Sequence, residues 1–341
     1  MFRVWATTDQ RLPLSAVAAH ARRVEGLGYD GLMVPEAVHD GLLAAGAALS
    51  ATARLRVATA VLVAFPRSPM AVAMASWDLQ EASGGRFELG LGSQVRGNVE
   101  GRYSTPWSAP VPRMREYVGA LRAIFARWQD GVPLDFRGEH YAFRKMQPFF
   151  DPGPLEAGPP PVWLGAVGPA MTALVGEVAD GLLTHPTHTS PRWLREVALP
   201  RLAKGAARSG AEAASVGVRA GPLVATGRDA AAVAARREWA RGLLGFLYST
   251  PAYAPSLALH GWEARGEILR EHVRAGRWDA LPGVVDDAML DAFVPSGTLE
   301  EIADVLAEAY AGLCREIVFP LPEDPADDDA VATVVARLRG A

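Results

Sequence analysis

A chain of 341 residues, half of them hydrophobic, is long enough to bury one large core or two ordinary ones. A formal net charge of −4 leaves no basic surplus for nucleic acid, and no apolar run reaches the roughly 20 residues of a membrane-spanning helix. The single cysteine, Cys314, excludes an internal disulfide and a cysteine-built metal cluster and suits a reducing cytoplasm.

The N-terminus runs Met1-Phe2-Arg3-Val4-Trp5 and turns polar at Thr7-Thr8-Asp9, without the pattern of a secretion signal, so a cytoplasmic protein is expected. Phe2 to Thr8 reads as a first strand. Leu14 to Leu27 has helical spacing and stops at Gly28. Tyr29 to Val34 is a second strand, ended by Pro35, and Arg54 to Val63 a third. Pro69 to Ala82 is a helix with proline in its first turn, stopped by Ser83-Gly84-Gly85. Arg86 to Leu91 is a fourth strand, and a helix runs from Pro112 to Gln129. The stretch 132–161, rich in proline, glycine and aromatics, reads as an insertion with a hairpin over Leu134 to Phe143. Val162 to Gly165, Gly181 to Thr184 and Val216 to Val224 are strands five to seven. Helices at Ala170 to Ala179 and Arg192 to Ser209 separate them. Residues 227–293 form a second, irregular helical insertion. A helix over Leu299 to Ala311 capped by Thr298, an eighth strand over Arg315 to Phe319, and a helix over Asp327 to Leu338 complete the pattern.

Eight strands separated by helices predict parallel pairing with right-handed crossovers. A closed eight-stranded parallel β/α (TIM) barrel hides the strand edges that the alternative, an open doubly wound sheet, leaves exposed. A bare barrel takes about 250 residues. The two insertions account for the remainder of a single domain over residues 1–341.

In such a barrel the functional site gathers at the C-terminal ends of the strands. Those ends carry Thr7, Thr8 and Asp9, then Glu36, His39 and Asp40, then Ala60 to Phe65 with Val61 among them. The later ends carry Gly92, Ser93 and Gln94, then Ala166, Val167 and Gly168, and finally His185 followed by His188. Ala166-Val167-Gly168-Pro169 either offers free helix N–H groups to a phosphate or is an ordinary strand-to-helix turn. Glu36 follows an apolar strand directly and needs a partner there, a ligand or an arginine. His39 is either a proton donor or a solvated loop side chain. His185 and His188 lack a third ligand, so no metal is expected. Arg67, Arg96, Arg102, Arg113 and Arg115 form either a basic rim for an anionic cofactor tail or a salt-bridged surface. Gly90-Leu91-Gly92-Ser93 is not a dinucleotide fingerprint, because no apolar helix follows it.

The segment Gly28-Tyr29-Asp30-Gly31-Leu32-Met33-Val34-Pro35-Glu36 resembles the second strand of luciferase-like monooxygenases and their deazaflavin-dependent relatives. Pro66-Arg67-Ser68-Pro69-Met70, continuing through Ser83-Gly84-Gly85-Arg86-Phe87-Glu88-Leu89-Gly90-Leu91-Gly92-Ser93, resembles the third-helix and fourth-strand signature of that group. Arg113-Met114-Arg115-Glu116-Tyr117 and Ala179-Asp180-Gly181 extend the likeness, which is weakest over 227–293. The branch most resembled is the coenzyme F420-dependent one.

The resemblance implies a homodimeric barrel with the cofactor ring in its mouth. It implies a non-prolyl cis peptide near Ala60-Val61 and ribityl and phosphate contacts from Gly92-Ser93-Gln94 and Ala166-Val167-Gly168, with Thr8 as a further cofactor-binding residue. It also implies that Glu36 meets the ring or its hydroxyl. Relatives often carry a histidine directly after that acid; here Ala37 follows, with His39 two residues on. The implied chemistry is hydride transfer between coenzyme F420 and an organic substrate, with Glu36, His39 or His185 handling the proton. An FMN-dependent monooxygenase that uses oxygen and a separate flavin reductase is the second reading, and a non-catalytic ligand-binding barrel the third.

Overall fold

The structure, a computed structural model, describes residues 1–340. In chain order the first strands are β1 (Arg3–Thr7), β2 (Gly31–Val34), β3 (Arg56–Thr59), β4 (Leu62–Val63) and β5 (Phe87–Gly92). A small antiparallel hairpin follows, β6 (Phe136–Arg137) with β7 (Ala142–Phe143). Then come β8 (Val162–Gly165), β9 (Gly181–Leu183), β10 (Gly217–Ala220), β11 (Ala225–Gly227), β12 (Ser296–Thr298) and β13 (Glu316–Val318). With β3 and β4 as two pieces of one stave, eight parallel staves run β3/β4-β2-β1-β13-β10-β9-β8-β5. A β3–β5 pairing closes the ring. The closed parallel barrel is therefore the observed fold.

Alternation along the strands sends every second residue to the axis. Trp5 of β1 and Trp163 of β8 both point inward, and Arg219 of β10 lies between them. Its guanidinium carbon is 3.3 Å from the centre of one indole and 4.4 Å from the other. Arg219 also donates to Glu88 at 2.5 Å and to Glu316 at 2.7 Å. Arg56 is a second partner for Glu88 at 2.7 Å, and Arg3 for Glu316 at 3.2 Å. Burial alone would raise the Glu88 carboxyl, but the Arg219 and Arg56 charges outweigh it and hold it below the usual carboxylate range. Two glycines explain how indoles fit inside so narrow a cylinder. A Cβ on Gly31 would stand 2.3 Å from the Trp5 ring, and one on Gly181 2.2 Å from the Trp163 ring.

Outside the staves the helices pack their apolar faces inward. Phe125 and Trp128 of the helix Pro110–Asp130 meet Trp77 of the helix Pro69–Ala82 at centroid distances of 5.6 and 5.2 Å. The insertion between β11 and β12 has its own buried cluster, including Leu244, Tyr248, Leu257, Leu269 and Phe293.

Several elements depart from the sequence expectation. The third strand is not continuous; it breaks at a cis Ala60–Val61 peptide between β3 and β4. The seventh strand ends at Ala220, and Ala225–Gly227 pairs instead with Ser296–Thr298 to close the neck of the insertion. Thr298 is not a helix cap. It belongs to β12, and its N–H and hydroxyl both donate to Glu301, with the helix beginning at Ile302. A helix over Gly41–Ala51 carries no polar stripe to give it a period, and Asp40 caps it by accepting from Leu42 and Leu43 N–H groups. Within the helix expected over Arg192 to Ser209, residues Leu194–Ala198 form a π-turn, which accommodates Pro200, a residue with no N–H to donate.

The buried Arg219 sets the first expectation. Arg219→Met strips both glutamates of their shared partner and should lower unfolding stability by about 3 kcal/mol or more. Urea denaturation checks this, and a loss under about 1 kcal/mol would contradict the role given to the cluster.

Candidate functional site

Trp5, Trp163 and the ion cluster fill the axis, so the strand ends above them form the mouth. The turn after β2 is tied to the turn after β4 by one carboxylate. Glu36, its side chain 5% exposed, accepts the Val63 N–H at 2.6 Å and two N–H groups of Arg67 at 2.5 and 3.0 Å. Arg67 also reaches Asp40 at 2.9 Å and the Val63 carbonyl at 3.2 Å. Of the two partners open to Glu36 from sequence, the structure supplies the arginine. His39 lies on the same bend, exposed and without a hydrogen-bond partner among the described residues.

Ala60 and Val61 sit at the break of the third stave, and the Val61 side chain is wedged between two neighbouring strands. A Cβ on Gly92 would come 2.4 Å from Val61 Cγ2, and one on Gly165 2.9 Å from Val61 Cγ1. Val63 pairs with Gly92, and Leu91 with Leu164. Through these contacts the ends of β2, β4, β5 and β8 are joined, which brings Glu36, Val61, Gly92 and the Ala166–Gly168 turn to one rim. Gly165 was not among the residues singled out from sequence; only the space it leaves for Val61 reveals it.

Thr8 is buried, its N–H donating to the Met33 carbonyl at 3.0 Å. Gln94 turns the chain off the end of β5 with φ at +59°, a left-handed conformation uncommon outside glycine, and its side-chain oxygen accepts the Val95 N–H at 2.9 Å. Ser93 donates to the Gln94 carbonyl at 3.3 Å. Gly168 is the N-cap of the helix Pro169–Val178, its carbonyl accepting from Thr172 N–H at 2.9 Å and Thr172 Oγ1 at 3.0 Å. A Cβ there would meet nothing within 4 Å, so the first turn of the helix faces open space. Ala166 is buried and Val167 half-buried beside it.

On the far side, the turn after β9 carries His185, Thr187 and His188. Both histidines lose the charged form to burial, His185 down to about 4 and His188 to about 3. Their Nδ1 atoms share Thr187 Oγ1, at 2.7 and 2.8 Å. Tyr253, from the second insertion, stacks on His185 at 4.6 Å. Sequence reasoning did not find Tyr253, because its helical turn has no periodic signal and lies far away in the chain.

The arginines divide. Arg67, Arg96 and Arg115 are paired with Glu36, Glu100 and Glu177. Arg102 donates to the Ala37 carbonyl and lies over the Tyr103 ring. Arg113 donates to Tyr141 Oη at 3.0 Å and the Pro106 carbonyl at 2.9 Å and lies 4.4 Å over Phe65. These two make no ion pair among the described residues. One acid-rich group lies apart: Glu116, Glu139 and His140 at the β6–β7 hairpin. The Glu116 carboxylate there already accepts the Glu139, His140 and Tyr141 N–H groups.

A planar heteroaromatic ring with a phosphorylated side chain fits these residues. Val61 would give such a ring an apolar support, the Gly168 turn would offer N–H groups to its phosphate, and Thr8 and Ser93 would be uncharged polar contacts. Among the described residues no helix is long and apolar enough to cross a membrane.

Comparison with known proteins agrees with this geometry. A family model described as luciferase-like monooxygenase matches residues 1–316. An uncharacterised protein of Mycobacterium tuberculosis is 44% identical over 305 residues, 89% of each chain. The 5,10-methylenetetrahydromethanopterin reductase of Methanolobus tindarius is 26% identical, over 96% of this chain and 97% of the relative. In three dimensions the chain resembles the coenzyme F420-dependent tetrahydromethanopterin reductase of Methanopyrus kandleri. That match has a TM-score of 0.78 over 99% of both chains at 19% identity.

The two buried imidazoles make stability depend on pH. Their folded-state values lie below the ordinary 6.5, so the unfolded chain binds the extra protons. Stability should be full above pH 6.5 and fall as the pH drops from there toward 4 and 3. His188→Gln should flatten that decline in a series of melting temperatures; a slope equal to that of the parent protein would contradict it.

Proposed function

The chain belongs to the luciferase-like monooxygenase family of enzymes, and on that premise we propose that it is a coenzyme F420-dependent oxidoreductase acting on an organic substrate. The observation that carries the choice of cofactor is the pair of arginines, Arg102 and Arg113, which have no carboxylate partner among the described residues and lie on the β2–β5 side of the mouth. The deazaflavin ends in a polyanionic tail, and two unpaired guanidiniums beside the mouth favour it over FMN, which ends at a single phosphate.

When bound, the deazaflavin supplies or accepts a hydride at its central ring carbon. The protein's own residues orient and dry the site. Val61, held between Gly92 and Gly165, supports one face of the ring. The N–H groups that follow Gly168 take the phosphate, and Ser93, Gln94 and Thr8 contact the polar side chain. The proton assignment narrows among the three candidates. Glu36 is committed to Arg67 and Val63, so its work is to hold the two turns together. His39 is exposed to solvent and makes no hydrogen bond among the described residues. His185 is fixed by Thr187 and half-buried, and it is the candidate we place beside the substrate, as a hydrogen-bonding group. Arg67, itself bonded to Asp40, keeps Glu36 in place.

A homodimer in the cytoplasm belongs to the same reading. Leu43 and Met74, 63% and 57% exposed on the contacting helices Gly41–Ala51 and Pro69–Ala82, supply an apolar face for it. The second reading, an FMN-dependent monooxygenase fed by a separate reductase, draws support from the family description and from a likeness in fold to an EDTA monooxygenase and to a riboflavin lyase solved with modified FMN.

Fluorescence titration of the purified protein with each cofactor tests the proposal. Saturable binding of F420, tighter than FMN and weakened by Arg102→Ala together with Arg113→Ala, is expected; tight binding of FMN alone would overturn it. A second expectation concerns the ring support. Gly92→Ala drives a methyl into Val61 and should weaken cofactor binding by about tenfold or more. Gly97→Ala, where a methyl meets nothing within 4 Å, should not. Equal affinities for the two variants would show that Val61 does not bear the ring.

A further inference from the structure

The turn after β9 and the second insertion meet in a cluster of uncharged polar groups that cofactor binding leaves without a task. Thr187, fully buried, is its centre. Its Oγ1 lies 2.7 Å from His185 Nδ1 and 2.8 Å from His188 Nδ1, and its backbone N–H donates to His185 Nδ1 at 3.3 Å. A nitrogen that accepts an N–H carries no hydrogen of its own. The neutral His185 ring therefore holds its hydrogen on Nε2. That atom faces the Tyr253 hydroxyl at 3.5 Å, with the two rings stacked.

The pair is braced from behind. Tyr248 Oη donates to the Thr187 carbonyl at 3.2 Å and lies 3.4 Å from Ser256 Oγ. Trp193 packs edge-on against His188 at 4.5 Å. These groups come from the β9 turn, the helix that follows it and the second insertion. A half-buried N–H and a half-buried O–H are thus held side by side at the rim. At 3.5 Å they bond each other poorly, yet two donors at that spacing can both reach a single oxygen atom.

The cluster is also free of formal charge. Among the described residues no Arg, Lys, Asp or Glu side chain hydrogen-bonds to His185, Thr187, His188, Tyr248, Tyr253 or Ser256. Such a surface cannot offset the desolvation of a carboxylate or an ammonium, and it suits a neutral acceptor. The cationic side of the mouth, with Arg102 and Arg113, lies at the other strands.

We propose that His185 and Tyr253 clamp the oxygen of an uncharged aldehyde or ketone, and that Tyr253 is a catalytic residue for its interconversion with the alcohol. This rests on the deazaflavin reading above and names its substrate class. In the reducing direction, hydride with its electron pair passes from the reduced deazaflavin to the carbonyl carbon. The C=O π pair moves onto oxygen, and oxygen takes the Tyr253 phenolic proton as His185 Nε2–H holds it. The phenolate regains a proton from water, the ring N–H proton of the reduced deazaflavin passes to solvent in exchange, and the deazaflavin is left oxidised by two electrons. Burial raises the Tyr253 phenol, so it yields its proton only as the substrate oxygen becomes an alkoxide, a stronger base than phenolate.

The test loads the full-length protein with reduced F420 and follows the return of oxidised F420 fluorescence. Cyclohexanone and benzaldehyde are the carbonyl probes, and cyclohexanecarboxylate and benzoate the charged controls. Turnover with at least one carbonyl probe and with neither carboxylate is expected. Tyr253→Phe and His185→Gln should each keep the parent affinity for oxidised F420 while lowering kcat/KM by about a hundredfold, most of it in kcat for Tyr253→Phe. Cofactor binding without turnover of either carbonyl, or Tyr253→Phe working at the parent rate, would overturn the clamp and leave the deazaflavin reading standing. Failure of the parent protein to bind F420 would remove both.

Discussion

Arg219 lies across the barrel axis between the faces of Trp5 and Trp163 and donates to Glu88 and Glu316, with no side-chain surface exposed. A buried charge is tolerated only when its partners are in place, and here the partners arrive from four other staves: β1, β5, β8 and β13. Arg3 and Arg56 then satisfy the outer oxygens of the two glutamates. One cluster therefore sets the register of most of the barrel, because a slip by one residue would turn any of these side chains away from the axis. The same cluster fills the axial space below the strand ends and leaves the mouth as the place for a ligand.

Above that plug the mouth has two chemically different sides. Around β2, β4 and β5 the geometry is set by ion pairs. Glu36, Arg67 and Asp40 bind two turns together, and Arg102 and Arg113 remain as cations beyond them. Around β9 the polar groups are neutral. His185 and His188 are kept uncharged by burial, and Thr187 orders both rings. On the proposed function, a redox cofactor with an anionic tail would match the first side and an uncharged substrate the second, which would let the two reactants meet face to face without exchanging places.

The barrel was legible in the sequence because strands and helices alternate and their stops are written in glycine and proline. Pro69–Ala82 and Val162–Gly165 have the bounds that their composition predicts. What was hidden depended on tertiary contact. The helix Gly41–Ala51 shows no period because almost every residue in it is apolar. Thr298 looks like a cap in sequence, but it lies in β12 and its N–H and hydroxyl go to Glu301. In the site, the strand-end rule named Glu36, Gly92, Gln94, Gly168 and His185, all of which lie at the mouth. It could not tell that Glu36 would be claimed by Arg67, a residue 31 positions away. Nor could it find Tyr253 or Gly165, one brought in by an insertion and the other visible only as the space beside Val61.

The central claim is that the rim built around Val61 receives a planar deazaflavin. Crystallography of the protein grown with F420 tests this most directly. The account predicts the ring resting on Val61 beside Gly92 and Gly165, with the phosphate at the helix turn after Gly168 and the tail directed toward Arg102 and Arg113. Electron density for the cofactor elsewhere on the barrel, or a ring that leaves Val61 uncovered, would contradict it.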